Sequence, residues 1–263
     1  MKKSLACGII LLATSSAVNA ADLSRQAVTA IMAPPSFTWT GFYVGGNLGY
    51  MYGFGNAVTT GTAAFQTLVA PGIVPGRLGA NRDGFLGGLQ AGYNFQYGAA
   101  VLGAEADLQL TDLRRRASFT GAAVLGTQLT TSSRADLRYL GTLRARIGFT
   151  PVERLLIYGT AGLAYGEVGT SGSVVGVQAP ALSWNGSTSS TRAGWVVGGG
   201  LEYAVTNNLT LKGEYLYYDL GRTSVSALGN AAVRSVAALN GIDYVARTEN
   251  RGSIVRAGAN YKF

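Results

Sequence analysis

The chain has 263 residues, of which 13% are charged and 48% hydrophobic, with 38 glycines, 6 prolines, no histidine, one cysteine and a formal net charge of +8. A charged share well below the quarter usual in soluble domains, combined with so much apolar character, argues against a disordered chain, and scarce proline excludes collagen. Without histidine there is no Ser-His or Cys-His catalytic pair, no His-ligated zinc and no proximal-His haem, and the lone Cys7 excludes an internal disulfide or a cysteine metal cluster.

Lys2 and Lys3 precede an apolar stretch from Leu5 to Ala13, and Val18, Asn19 and Ala20 end it with small residues. That order predicts a secretory signal peptide over 1–20, cut before Ala21. Its removal takes the formal charge from +8 to +6 by loss of Lys2 and Lys3, and removes the only cysteine. Residues 21–38, with Pro34 and Pro35, read as a periplasmic lead-in without a fold of its own.

Beyond the leader no run reaches the 18 apolar residues of a membrane helix. Period-two alternation instead recurs near 40–53, 84–96, 100–111, 135–150, 154–167, 192–205, 208–220 and 251–263. These segments run to about 12–16 residues, against the 9–11 that cross a bilayer as a tilted strand. The connections alternate too: those at 97–98, 151–153 and 206–208 are short, and those at 54–83, 112–134, 168–191 and 221–250 are long. Short periplasmic turns opposite long outer loops predict an all-β fold over 39–263, an eight-stranded antiparallel transmembrane β-barrel with long extracellular loops. The loops, rich in Gly, Ser, Thr and Ala, are expected to be mobile or to extend the strands as hairpins.

Charge keeps to one face of each segment. Leu102, Ala104, Ala106 and Leu108 oppose Glu105 and Asp107, while Leu143, Ala145, Ile147 and Phe149 oppose Arg138, Thr142, Arg144 and Arg146. Leu209, Leu211, Tyr215 and Tyr217 likewise oppose Lys212 and Glu214, and Val255, Ala257 and Ala259 oppose Arg256. On the apolar face aliphatic residues hold the middle of the strands. Aromatics hold the ends: Phe42, Phe95, Phe149, Tyr203, Tyr261 and Phe263 on the periplasmic side, and Tyr50, Tyr52, Tyr139, Tyr165, Trp195 and Tyr217 on the outer side. A sandwich core would hold its bulk at the centre; this order fits aromatic girdles around a lipid-facing band.

The polar face then points inward. There Glu105, Asp107, Glu202 and Glu214 are expected to pair with Arg138, Arg144, Arg146, Lys212 and Arg256, because an unpaired buried ion costs several kcal/mol. Inward glycines at 45, 49, 88, 92, 162 and 198 leave open a second reading, a narrow gap for small polar solutes. Arg114, Arg115 and Arg116, with Arg77, Arg82 and Arg134, suit the phosphates of lipopolysaccharide, although a solvated loop base is the blander reading. Export separates the basic chain from nucleic acid, and no pattern names a cofactor or an enzyme reaction.

The motif Trp39-Thr40-Gly41-Phe42-Tyr43-Val44-Gly45-Gly46-Asn47-Leu48-Gly49-Tyr50 and the closing Arg-x-Gly-x-Asn-Tyr-x-Phe of residues 256–263 resemble the small outer-membrane β-barrel proteins of Gram-negative bacteria, in particular the porin-like, opacity-protein-like group of alphaproteobacteria. The resemblance spans 39–263 and implies an outer-membrane address. It also implies that Tyr261 and Phe263 are similar to the terminal signature read by the barrel-assembly machinery. Such barrels host envelope maintenance, adhesion, host or surface contact through loops, small-solute passage and, in some relatives, haemin binding, for which loop tyrosines such as Tyr244 would have to replace histidine. Oligomeric state is left open.

Overall fold

The computed structural model describes residues 37–263 apart from 55, 63–64, 67–68, 70–71, 80–81 and 125; of 54, 56, 57, 59, 61, 79, 82, 113–115 and 124 it describes the backbone alone. The expected signal peptide and nearly all of the lead-in lie outside the described residues. Ten strands follow: β1 Gly41–Phe54, β2 Asn56–Gly61, β3 Arg77–Gly79, β4 Arg82–Tyr97, β5 Ala100–Val124, β6 Thr127–Val152, β7 Leu155–Gly176, β8 Ser183–Ala204, β9 Leu209–Gly229 and β10 Tyr244–Lys262. A short helix, α1 Ala231–Ser235, precedes β10, and the Asn230 side chain caps it by accepting from the Val233 amide at 3.0 Å.

Strands β1, β4, β5, β6, β7, β8, β9 and β10 pair in that order, and β10 pairs back onto β1 from Tyr43↔Lys262 to Phe54↔Arg251. All pairings are antiparallel. The eight-stranded sheet therefore closes on itself and leaves no free edge within its lower part, the condition a strand structure must meet in hydrocarbon. The tight connections follow the sequence, as at β4–β5, where Gly98 takes φ +59.

Leu48, Leu89, Ile147, Leu163 and Leu211 all stand exposed on the outer wall, bounded below by Phe42, Phe149 and Phe263 and above by Tyr52, Tyr165 and Trp195. This apolar belt with aromatic borders is the lipid-facing surface.

Most strands outrun the membrane. β5 and β6 have 25 and 26 residues and β7 and β8 have 22 each, so the expected long loops are largely hairpin extensions. The transition is marked by bulges. β5 takes three steps from Leu110 to Leu113 against two on β6, and β6 takes three from Leu137 to Leu140 against two on β7. β9 takes three steps from Asp219 to Arg222 against two on β10, where Gly221 adopts φ +75. The inward phase reverses on β6, where Leu140 and Leu137 are both buried, and on β9, where Leu220 and Thr223 both are, while β5 keeps its phase.

Above the bulges the β8–β9 ladder lapses between Asn185 and Trp195, while β2 pairs with β10 and β3 with β2. The wall there divides into two sheets, β5–β8 and β9–β10–β2–β3, whose inner faces meet. The Tyr244 hydroxyl lies beside Gly172, where a Cβ would stand 2.8 Å from it. Phe65, Val74, Leu129, Val174, Trp184 and Val233 are among the residues that fill this outer cap, and the Trp184 indole donates to the Ile242 carbonyl at 2.6 Å.

Candidate functional site

Inward positions on all eight barrel strands converge on one polar layer at membrane depth. β5 contributes Glu105 and Asp107, β6 Thr142, Arg144 and Arg146, β8 Glu202, β9 Thr210, Lys212 and Glu214, and β10 Arg256 and Asn260; all are buried. β1, β4 and β7 add Tyr43, Gln90 and Tyr158. Local register begins the pairing, because Glu105 lies opposite Arg144 and Glu214 opposite Arg256 on adjacent strands.

Arg144 donates to Glu105, to Asp107 at 2.8 Å, to Glu214 at 2.8 Å and through Nε to the Thr142 hydroxyl at 3.0 Å. Arg256 donates through Nε to Glu214 at 2.7 Å and through Nη2 to Asp107 at 3.0 Å. Lys212 spans the interior to both oxygens of Glu105, at 2.9 and 3.0 Å. Arg146 donates to Glu202 at 2.7 Å and lies 3.9 Å from the centre of the Tyr158 ring, while Thr210 and Asn260 donate to the other Glu202 oxygen. Tyr43 and Tyr158 donate to Glu105 and Glu214 at 2.7 and 3.1 Å. Four carboxylates meet four cations, so the layer is neutral, and each ion is both paired and hydrogen-bonded, the condition under which buried charge is tolerated.

Apolar layers lie on both sides. Towards the periplasm Phe37, Trp39, Val101, Leu156, Tyr158 and Ala204 pack together, and the Trp39 indole donates to the Glu153 carbonyl at 3.0 Å. Phe37 thus belongs to the barrel and not to a lead-in without structure. On the outer side Met51, Leu86, Leu140, Val196, Leu216 and Ile254 form part of a second apolar layer.

Arg138 departs from the expectation that placed it inside. Its side chain is 71% exposed and pairs with Glu167 at 3.1 Å on the outer surface, because the bulge between Leu137 and Leu140 puts both Arg138 and Tyr139 outward. A Cβ on Gly92 would meet the Ala104 carbonyl at 2.6 Å, and one on Gly49 would meet the Arg256 Cβ at 2.6 Å, so close neighbours fill those places.

Tyr43, Tyr158, Thr210 and Asn260 share the inward phase of their strands, but alternation alone does not mark them as members of this layer. Tyr244 is 1% exposed and stacks on Phe65 at 5.5 Å, so it presents no haem ligand at the surface. Burial raises its phenol pKa well above the ordinary tyrosine value. The side chains of Arg82, Arg114 and Arg115 lie outside the described ones; Arg116 is exposed on the outer wall opposite Arg134. Tyr261 and Phe263 stand on the lipid face with ring centres 5.3 Å apart, and the Phe263 amide donates to the Phe42 carbonyl at 3.0 Å.

A closed antiparallel cylinder with an aliphatic belt, aromatic borders and an ionised interior is a transmembrane β-barrel of the bacterial outer membrane. The chain belongs to the family described as outer membrane protein beta-barrel domain, whose model matches residues 9–263. It is 38% identical to the 31 kDa outer-membrane immunogenic protein of Brucella melitensis biotype 1 over the whole of both chains. It is 31% identical to the 22 kDa outer membrane protein of Rhizobium leguminosarum bv. viciae, over 70% of this chain and 66% of that one. Among solved structures, Neisserial surface protein A aligns over 85% of this chain and 98% of its own, at 17% identity and a TM-score of 0.38. The protein is an outer-membrane protein of Gram-negative bacteria, in contact with the lipid of that membrane.

Proposed function

We propose that the protein is a closed, non-conducting barrel that supports the envelope structurally and carries an interaction surface outside the cell. The observation behind this reading is the neutral ion layer held between two apolar layers, in which each charge is already paired. A conducting interior needs binding weak enough for an ion to leave, whereas each of these carboxylates is already held by a guanidinium or ammonium, with Thr210 and Asn260 on the second Glu202 oxygen. The extended outer sheets supply the surface for adhesion or host contact. In this reading residues 1–20 are the export leader, and Tyr261 and Phe263 are the assembly signal.

Planar-bilayer recording on the purified, refolded protein tests the proposal. A silent bilayer is expected at protein levels where a porin gives steps; reproducible single-channel steps that scale with salt would replace this reading with the narrow-porin one.

A further inference from the structure

The outer face of the β5–β8 sheet, above the membrane, carries a concave site of about 640 Å³. Cross-strand register builds it from two rows. Arg116, Arg134, Ser171 and Ser187 lie side by side on successive strands, and Ser118, Ser132, Ser173 and Asn185 form the next row outward. Short side chains on neighbouring rows leave the hollow, and its volume falls within the range of about 300–1,000 Å³ typical of ligand sites.

Three features describe the occupant. Arg116 and Arg134 face each other directly across β5 and β6, a like-charge pairing that destabilises a sheet unless an anion lies between. Asp136 neutralises only part of this charge, pairing with Arg134 at 3.1 Å while the Arg134 side chain remains 44% exposed. The hydroxyls repeat at the strand spacing of about 4.8 Å, which is comparable to the separation of alternate hydroxyls on a sugar ring and suits successive donor and acceptor contacts along a saccharide.

Height selects the source. Arg134 lies five residues beyond Tyr139 and Ser187 eight before Trp195 in the aromatic border. At roughly 2.5 Å of vertical rise per residue of a tilted strand, the site stands about 12–20 Å above that border, beyond a headgroup layer of roughly 5–8 Å. It faces sideways from the wall, towards molecules standing in the same leaflet.

We infer that this groove binds the phosphorylated or carboxylated core sugars of neighbouring lipopolysaccharide, with Arg116 and Arg134 holding the anion and the serine rows holding the sugar hydroxyls. The inference deepens the surface-interaction part of the proposed function. Phosphate bound to two guanidiniums forms charge-assisted hydrogen bonds, the strong class of such contacts.

The test uses the full protein refolded into phosphatidylcholine nanodiscs and a soluble, delipidated, phosphorylated core oligosaccharide as the probe. Saturable binding is expected, weakened about tenfold or more by the double substitution Arg116→Gln and Arg134→Gln and by removal of the phosphates from the probe, since each charged hydrogen bond is worth about a decade in affinity. Ser171→Trp keeps the charge and fills the groove, and the same weakening is expected. Absence of saturable binding by the parent protein, or undiminished binding by a folded Ser171→Trp variant, would overturn the inference. Heat-modified gel mobility reports folding, and if one variant fails to fold the other decides. Channel steps in the bilayer would remove the closed-barrel reading without touching this result, and a silent bilayer would not rescue a groove that binds no oligosaccharide.

Discussion

Arg144 touches three carboxylates at once, Glu105, Asp107 and Glu214. Arg144→Ala leaves Glu105, Asp107 and Glu214 short of donors inside the wall. Removing one partner of a buried ion pair costs about 3–5 kcal/mol. Arg138→Ala, at a side chain 71% exposed, removes a surface pair of the kind worth about 0–1 kcal/mol. Urea unfolding in lipid vesicles, read by the heat-modified gel shift, is expected to separate the two variants clearly. Equal midpoints would mean that the inner ions contribute no more than the outer ones. The contrast is informative because alternation alone puts both arginines on the same face, and only one bulge parts them.

Below the bulges the β5–β6 ladder is continuous from Ala100↔Phe149 to Leu110↔Tyr139, and it needs nothing from the outer hairpin to close the cylinder. Replacing residues 116–134 by an Asn-Gly turn between the paired Arg115 and Ala135, which suits a two-residue hairpin, is expected to leave a chain that still folds into vesicles with a heat-modified shift. The same chain is expected to lose the saccharide groove. Failure of the shortened chain to fold would show that the outer sheets are needed to build the membrane part. The bulges also explain what could be read in advance. Alternation marked segments ending at 111 and 220, and the ladders shift phase at Leu110–Leu113 and Asp219–Arg222. Past those points β9 continues in reversed phase and β5 in its original one, both through stretches whose two faces differ little in polarity, so the pattern fades while the hydrogen bonding does not. Glu105, Asp107, Arg144, Arg146, Lys212, Glu214 and Arg256 lie within single-phase segments, and their shared face was visible. The place of Phe37 beneath the barrel was not, because a lone aromatic before the first strand carries no period.

The completed cylinder must also be delivered to its membrane. Phe263 is 70% exposed on the lipid face, and beyond its amide bond to Phe42 it adds little to the closure of the wall. Deleting it is therefore expected to lower the amount of protein in the outer membrane of expressing cells several-fold while leaving refolding in vesicles nearly unchanged. Equal amounts in the membrane would argue that Tyr261 and Phe263 play no part in delivery.

The seam between β1 and β10 joins the first strand of the cylinder to the last, and Arg256 belongs to that last strand. A slip of one residue along this seam would turn the guanidinium towards hydrocarbon, at a cost of about 2–4 kcal/mol near the midplane, and would strand Glu214 and Asp107 without it. A slip of two would keep it inside but carry it out of line with its carboxylates. The charged layer thus proofreads closure: a cylinder sealed out of step is penalised at its heart, and only the true alignment lets the final strand settle.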